Sequence, residues 1–130
     1  MRQPVFEIVA IGNELLLGKT LDTNSHWLAR KIVELGGELR RITTVRDRHE
    51  AIADGVRDAL SRHPDFLLTL GGLGPTHDDI TLSSIGRLLK RRLILNRNAL
   101  AYLKQRYLER FGPGVNLTPP RLKMARFPEG

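Results

Sequence analysis

The segment "LGGLGPTHDDIT", residues 70–81, concentrates the residues of this chain best suited to chemistry. Gly71, Gly72 and Gly74 permit positive φ and close backbone approach, and Pro75 stiffens the turn. The N–H groups of such a loop, with the start of a following helix, form a concavity suited to an anion such as phosphate. Asp78 and Asp79 then pose a problem, because two carboxylates repel the same anion. A divalent cation of the Mg²⁺ kind resolves it. Such an ion takes one or two carboxylates plus phosphate oxygens and lowers the barrier to attack at phosphorus. The plainer alternative is a tight turn in which one aspartate caps the next helix. The segment is not a Walker A loop, since no Gly-Lys-Ser/Thr follows, and it is not a GxGxxG turn. His77, a single loop histidine, reads as an exposed bystander.

A second segment, "GNELLLGKTLDTNS" (residues 12–25), carries further candidates. Glu14 lies just past an apolar run, where it can reach the same cation or a ligand hydroxyl. Lys19 can meet a phosphate, and Asn13 and Asn24 have the donors and acceptors that a base or pterin edge requires. Asp22 and Ser25 read first as helix caps.

These loops need elements to position them. Val5–Ile11 is a β-favouring run of the kind buried on both faces of a parallel sheet. A helix follows from the Asp22-Thr23-Asn24-Ser25 cluster to about Leu35, with Leu28, Ile32 and Leu35 on one face and Gly36-Gly37 as its stop. Glu38–Val45 reads as a weaker strand nearer an edge. Asp47 and Glu50 have capping-box spacing before a helix with a core stripe of Ile52, Val56, Ala59 and Leu60. After Pro64, residues 65–70 form a third strand that runs into the glycine loop. Leu82, Ile85, Leu88 and Leu89 give another helical stripe, and Leu93–Leu95 a short strand. Leu100, Leu103, Tyr107 and Phe111 repeat at helical spacing and read as core, before Gly112-Pro113-Gly114 ends that helix. The last stretch has turn chemistry and one helix-like piece. This alternation predicts an α/β fold: a three-layer, doubly wound, mostly parallel sheet with helices on both faces. Ligands of such sheets bind beyond the carboxyl ends of the strands, and both candidate loops leave strands at that edge.

The bulk numbers narrow the function class. A chain of 130 residues fits one domain. No apolar stretch is long enough for a membrane span. Cysteine is absent, which excludes disulfides and thiolate metal sites, and the interrupted N-terminal run is unlike a signal peptide. The cytoplasm is the expected compartment. The net charge of +7 is spread between Arg40, Arg41, Arg46 and Arg48 in one area and Arg87, Lys90, Arg91 and Arg92 in another. With aromatics at only 5% and not interleaved with these clusters, a nucleic-acid surface is not supported. The charge reads as a solvated face, with attraction of a phosphorylated ligand as the second reading.

"GNELLLGKTLDTNSHWLA" (residues 12–29), "TLGGLGPTHDDIT" (residues 69–81) and the order of segments between them resemble the MoaB/Mog-like molybdopterin-binding domain superfamily. Within it the chain is most similar to the N-terminal domain of the CinA competence/damage-inducible family. The resemblance implies a MoaB/Mog-like fold across a single domain, residues 1–130, lacking the C-terminal segment with which family members usually continue. It places Asp79 on the superfamily's functional aspartate, while Asp78 replaces an arginine. Likeness to MoaB and Mog implies binding of molybdopterin and ATP with Mg²⁺-dependent adenylylation. The CinA-type loop implies a metal-dependent nucleotide pyrophosphatase acting on ADP-ribose-like phosphoanhydrides. In that reading Asp78, Asp79 and Glu14 hold the metal, and Asp78 and Asp79 act in catalysis. Gly71, Gly72, Gly74, Thr76, Gly12, Asn13, Lys19, Asn24 and Ser25 then contact the ligand. The alternative is a domain that binds molybdopterin or a nucleotide without turnover. Related domains self-associate, so a homo-oligomer is expected.

Overall fold

A computed structural model describes all 130 residues. Strand β1 (Val5–Ile11) lies in the centre of a three-stranded parallel sheet, flanked by β2 (Glu38–Val45) and β3 (Phe66–Leu70). A short helix α1 (Asn13–Leu16) and the longer α2 (Thr23–Glu34) connect β1 to β2, and α3 (His49–Ser61) connects β2 to β3. Helix α4 (Thr81–Leu88) follows the glycine loop. The chain then leaves the main sheet. Strand β4 (Leu93–Leu95), helix α5 (Arg97–Phe111), helix α6 (Pro119–Leu122), a 3₁₀ turn at Lys123–Ala125 and strand β5 (Arg126–Pro128) complete it. Strands β4 and β5 pair antiparallel, Leu93 opposite Pro128.

Side chains alternate along β1 and divide between two helical layers. Val9 and Ile11 pack with Ile52, Val56 and Ala59 of α3 in the buried core, which Val45, Leu67, Ile80 and Ile85 extend. On the other face Phe6 lies beside Ile32 of α2, with Gly37 between them where a Cβ would sit 2.7 Å from the Phe6 ring. Helices therefore cover both faces of the sheet, as expected. With the order β2-β1-β3, β2 lies at an edge, also as expected.

Four expectations need correction. Leu60, expected in the core stripe of α3, is 41% exposed at the end of that helix. Asp47 does not cap α3: the N-cap position is Arg48, without a side-chain bond, and the Asp47 carboxylate is engaged elsewhere. Leu35 sits past the end of α2 and is 85% exposed, so it contributes no core face. The α5 stripe is not core either. No α5 residue is fully buried: the helix is backed mainly by the 3₁₀ turn, and an open groove with Leu95 of β4 lies along Leu100 and Tyr107. Conversely, β1 buries a charge. Glu7 is 1% exposed on the α3 face and accepts hydrogen bonds from Arg62 Nε and Nη2, at 2.9 and 2.6 Å.

Candidate functional site

The glycine loop begins where β3 meets the end of β1. Gly71 has φ 91°, and a Cβ there would lie 2.1 Å from the Ile11 carbonyl oxygen, so the loop passes directly over the neighbouring strand. Gly72, at φ 63°, approaches Thr81 so closely that a Cβ would sit 2.2 Å from its hydroxyl. Only glycine combines those torsions with that proximity. Thr81 is fully buried at the start of α4 and ties the loop shut: its hydroxyl donates to the Gly71 carbonyl at 2.8 Å and its amide to the Gly72 carbonyl at 3.3 Å.

Asp79 has a role that the spacing did not reveal. It does not cap α4, whose N-cap is Ile80 and lacks any side-chain bond. Its carboxylate turns back into the loop. There it accepts from the Thr76 amide at 2.9 Å and the Thr76 hydroxyl at 2.6 Å. The Gly74 amide donates to it as well. Partial burial pushes the Asp79 carboxyl up, but the Thr76 hydroxyl, the two amides and the nearby Lys123 ammonium together hold it below the ordinary aspartate value. Lys123 arrives from the 3₁₀ turn and donates to the Thr76 carbonyl. A cleft of about 130 Å³ results, whose polar groups are Asp79, Ser83 and Lys123 beside Gly72 and Gly74, and whose remaining wall is apolar, from Leu73, Ile80, Leu82 and Leu93.

The first loop reaches the same sheet edge but is largely occupied with its own structure. The buried Gly12 donates its amide to the Val45 carbonyl, and a Cβ there would meet the Glu14 carboxylate at 2.6 Å. Asn13 forms a reciprocal clasp: its amide donates to Asp47 Oδ2 at 2.9 Å, and its Oδ1 accepts from the Asp47 amide at 3.3 Å. Lys19 and Asn24 are exposed and do not line the cleft. Ser25 is buried; its amide donates to the Asp22 cap at 2.9 Å, while its hydroxyl has no partner. Asp78 and His77 are exposed on the loop's outer side. Of the residues singled out from sequence, the fold thus gathers Gly71, Gly72, Gly74, Thr76 and Asp79 into one structure.

Asp78, Asp79 and Glu14 form no ready metal cage. No three histidine or carboxylate side chains come close enough together to hold an ion. Asp79 is also committed to three protein donors. The residues present do not fit a resident ion held by protein alone. They leave room only for a cation that enters with substrate phosphates, for which one or two carboxylates suffice. Two contributors went unnoticed in the sequence, Thr81 and Lys123. Thr81 is the last residue of the quoted motif, without a role read for it there, but Lys123 lies 47 residues from its partner Thr76 and no local pattern marks it.

A family model described as "probable molybdopterin binding domain" matches residues 7–122. The chain belongs to that family. Among solved structures, the molybdopterin-binding-type domain superposes on a CinA protein of Thermoplasma acidophilum, described as of unknown function. The TM-score is 0.82 at 33% identity, covering 97% of this chain and 71% of the other. MoaB of Pyrococcus furiosus, described as a tungsten cofactor synthesizing protein, shares the fold at TM-score 0.66 and 20% identity, over 86% of this chain and 67% of that one. A protein of Metallosphaera sedula is 45% identical over 95% of this chain and 46% of its own length. One of Pyrococcus horikoshii is 43% identical over 95% of this chain and 50% of its own length. The domain therefore spans about half the length of the curated relatives it matches. The fold and the CinA/MoaB-type kinship expected from the two motifs hold. No helix is long and apolar enough to cross a membrane.

Proposed function

We propose that the domain binds a phosphorylated nucleotide in the glycine-loop cleft and hydrolyses phosphoanhydrides of the ADP-ribose type. One observation carries this reading. The loop at the carboxyl edge of a parallel sheet is stapled by Asp79 and Thr81 into a cleft that a cation, Lys123, enters from a distant segment. Ligands of open α/β sheets bind at this edge. With its charge satisfied by three donors, Asp79 repels a phosphate less than a free carboxylate would, and Lys123 offsets the remainder. In the reaction, a water oxygen bonds to one phosphorus, the bridging P–O bond breaks, and AMP and ribose 5-phosphate leave. A divalent ion, if it enters with the substrate, would supply charge neutralisation and water activation. In this proposal Asp78 and Glu14, both exposed and outside the cleft lining, are the side chains that would steady it. Asp79 and Lys123 shape the cleft around the phosphate.

A second reading, binding of a pterin or nucleotide without turnover, is favoured by the missing carboxylate cage. Release of AMP from ADP-ribose with Mg²⁺, Mn²⁺ or Co²⁺, set beside calorimetry with adenine nucleotides and molybdopterin, separates the two. Turnover that Asp78→Ala and Glu14→Ala reduce supports hydrolysis. Tight binding with no product under any metal leaves the binding reading. Self-association belongs to the same proposal, since Leu21 and Trp27 stand exposed on the α2 side. Light scattering that returns a mass of one chain at micromolar concentration would refute it.

A further inference from the structure

Helix α4 ends in a Schellman turn in which the Arg91 amide donates to the Gly86 carbonyl at 2.8 Å and the Lys90 amide to the Arg87 carbonyl at 3.2 Å. The left-handed position of that turn, normally glycine's, is held by Lys90 at φ 53°. His63 is the one other non-glycine residue at positive φ. A side chain kept where glycine is more comfortable points to a use for the side chain. Around Lys90 stand Arg87, Arg91 and Arg92, all exposed, and of the four only Arg92 reaches a carboxylate, Glu129 at 3.3 Å. These four cations line a groove of about 380 Å³. Ser83 and Leu93 line both this groove and the glycine-loop cleft, so the two are neighbours that share a wall.

From this adjacency and the four clustered cations we infer that the groove is a second anion subsite, which takes further phosphates of a ligand whose first phosphate occupies the cleft. The inference rests on the reading of the cleft as a phosphate site. It narrows the ligand class to nucleotides carrying more than one phosphate. The helix C-terminus accounts for one or two cations, because its partial negative charge attracts them within the last turn. It does not account for a lysine at a glycine position or for a shared lining with the cleft. Nucleic acid is the less fitting partner, since neither groove nor cleft presents an aromatic ring for a base to stack on.

The test is calorimetry with AMP, ADP, ATP and inorganic tripolyphosphate, at low and high salt. It compares the wild type with Lys90→Gly/Arg91→Ala, which relieves the strained turn and so keeps the fold, and with Lys123→Ala. Affinity should rise on the order of tenfold from AMP to ATP in the wild type, the scale of a few screened ion pairs. The double variant should lose that gain and keep AMP binding, whereas Lys123→Ala should weaken AMP and ATP alike. If the gain survives in the double variant, the groove is not a subsite, although the cleft reading stands. If tripolyphosphate binds and AMP does not, the cleft reading and the spanning ligand fall together. Tighter binding of single-stranded RNA than of ATP, lost in the double variant, would overturn the small-ligand inference in favour of a nucleic-acid surface.

Discussion

Replacing Asp79 tests whether the loop is a braced structure or a set of free metal ligands. In Asp79→Ala the Thr76 amide, the Thr76 hydroxyl and the Gly74 amide all lose their acceptor. Hydrogen bonds to a charged group contribute about 1.5–3 kcal/mol each when protected from water. These donors lie on an exposed loop and can turn to solvent, so the net cost falls to about 1–2 kcal/mol in total. For a domain of this size that corresponds to a melting point lower by roughly 3–8 °C. Asp79→Asn keeps one acceptor oxygen and should lose about half as much. The pH dependence follows from the direction of the shift. The folded-state carboxyl lies below its ordinary value, so the native state releases the proton more readily than the unfolded chain does. The stabilisation is complete above the unfolded aspartate pKa, about 3.9, and disappears as pH falls through the lower folded value. Thermal melts should therefore show wild type and Asp79→Asn fully separated at pH 7, with the gap starting to narrow only once pH falls below about 3.9. An Asp79→Ala protein with wild-type melting at pH 7, which loses only metal-dependent ligand binding, would refute the bracing role.

Other substitutions probe the rest of the arrangement. Gly71→Ala places a Cβ against the Ile11 carbonyl at positive φ and should cost more than about 2 kcal/mol. Gly112→Ala, at φ 79° and ψ 178° but with open space, should cost about 1–3 kcal/mol from backbone strain alone, and urea midpoints compare the two. Thr81→Val keeps the shape but removes the donor to Gly71, and should cost about 1 kcal/mol and weaken AMP binding. Asn13→Ala opens the clasp to Asp47 and should lose about 0.5–1.5 kcal/mol in the same urea assay without changing nucleotide affinity. Glu7→Gln leaves the Arg62 guanidinium without its buried counter-charge and should lower the melting point more than Asp58→Ala does, because Asp58 meets Arg62 from the exposed side.

The parts legible in the sequence are those encoded by local pattern. The apolar run of β1, the bounds of β2 and β4 and the end of α5 at Gly112 all follow from residues within a few positions of one another. The glycine loop was legible for the same reason, since its torsions are written in its glycines. What the pattern could not supply is the identity of the opposing surface. The α5 stripe has helical spacing, but periodicity does not say whether a sheet or merely a short turn lies opposite, and here it is the turn. Asp47 has the spacing of a cap, yet an acceptor at that position had two donors in reach, and the Asn13 amide across the sheet edge took it. Glu7 looked like an interruption of an apolar run. Its partner Arg62 lies 55 residues away and the pair is made only by the packing of α3.

The same competition between near and distant donors decides what the paired aspartates do. A carboxylate three residues after Thr76 can turn forward to cap α4 or back to brace the loop. The glycines make the backward turn possible by bringing the Gly74 and Thr76 amides round to face it, and Gly74 has no Cβ to obstruct Asp79 Oδ2 at 2.6 Å. Asp79 is then engaged by the loop, whereas Asp78 is exposed, so under the proposed function Asp78 is the member of the pair that would meet an incoming cation. The two carboxylates are adjacent in sequence but differently placed, Asp79 bracing the loop and Asp78 exposed to solvent. This division removes the conflict between a phosphate cradle and its acidic residues without a resident metal. It also predicts that Asp78→Asn and Asp79→Asn separate experimentally. The first should leave the melting point unchanged and alter only the metal dependence of binding, and the second should lower the melting point with or without metal. Identical behaviour of the two variants in both measurements would mean that the aspartates act as a pair.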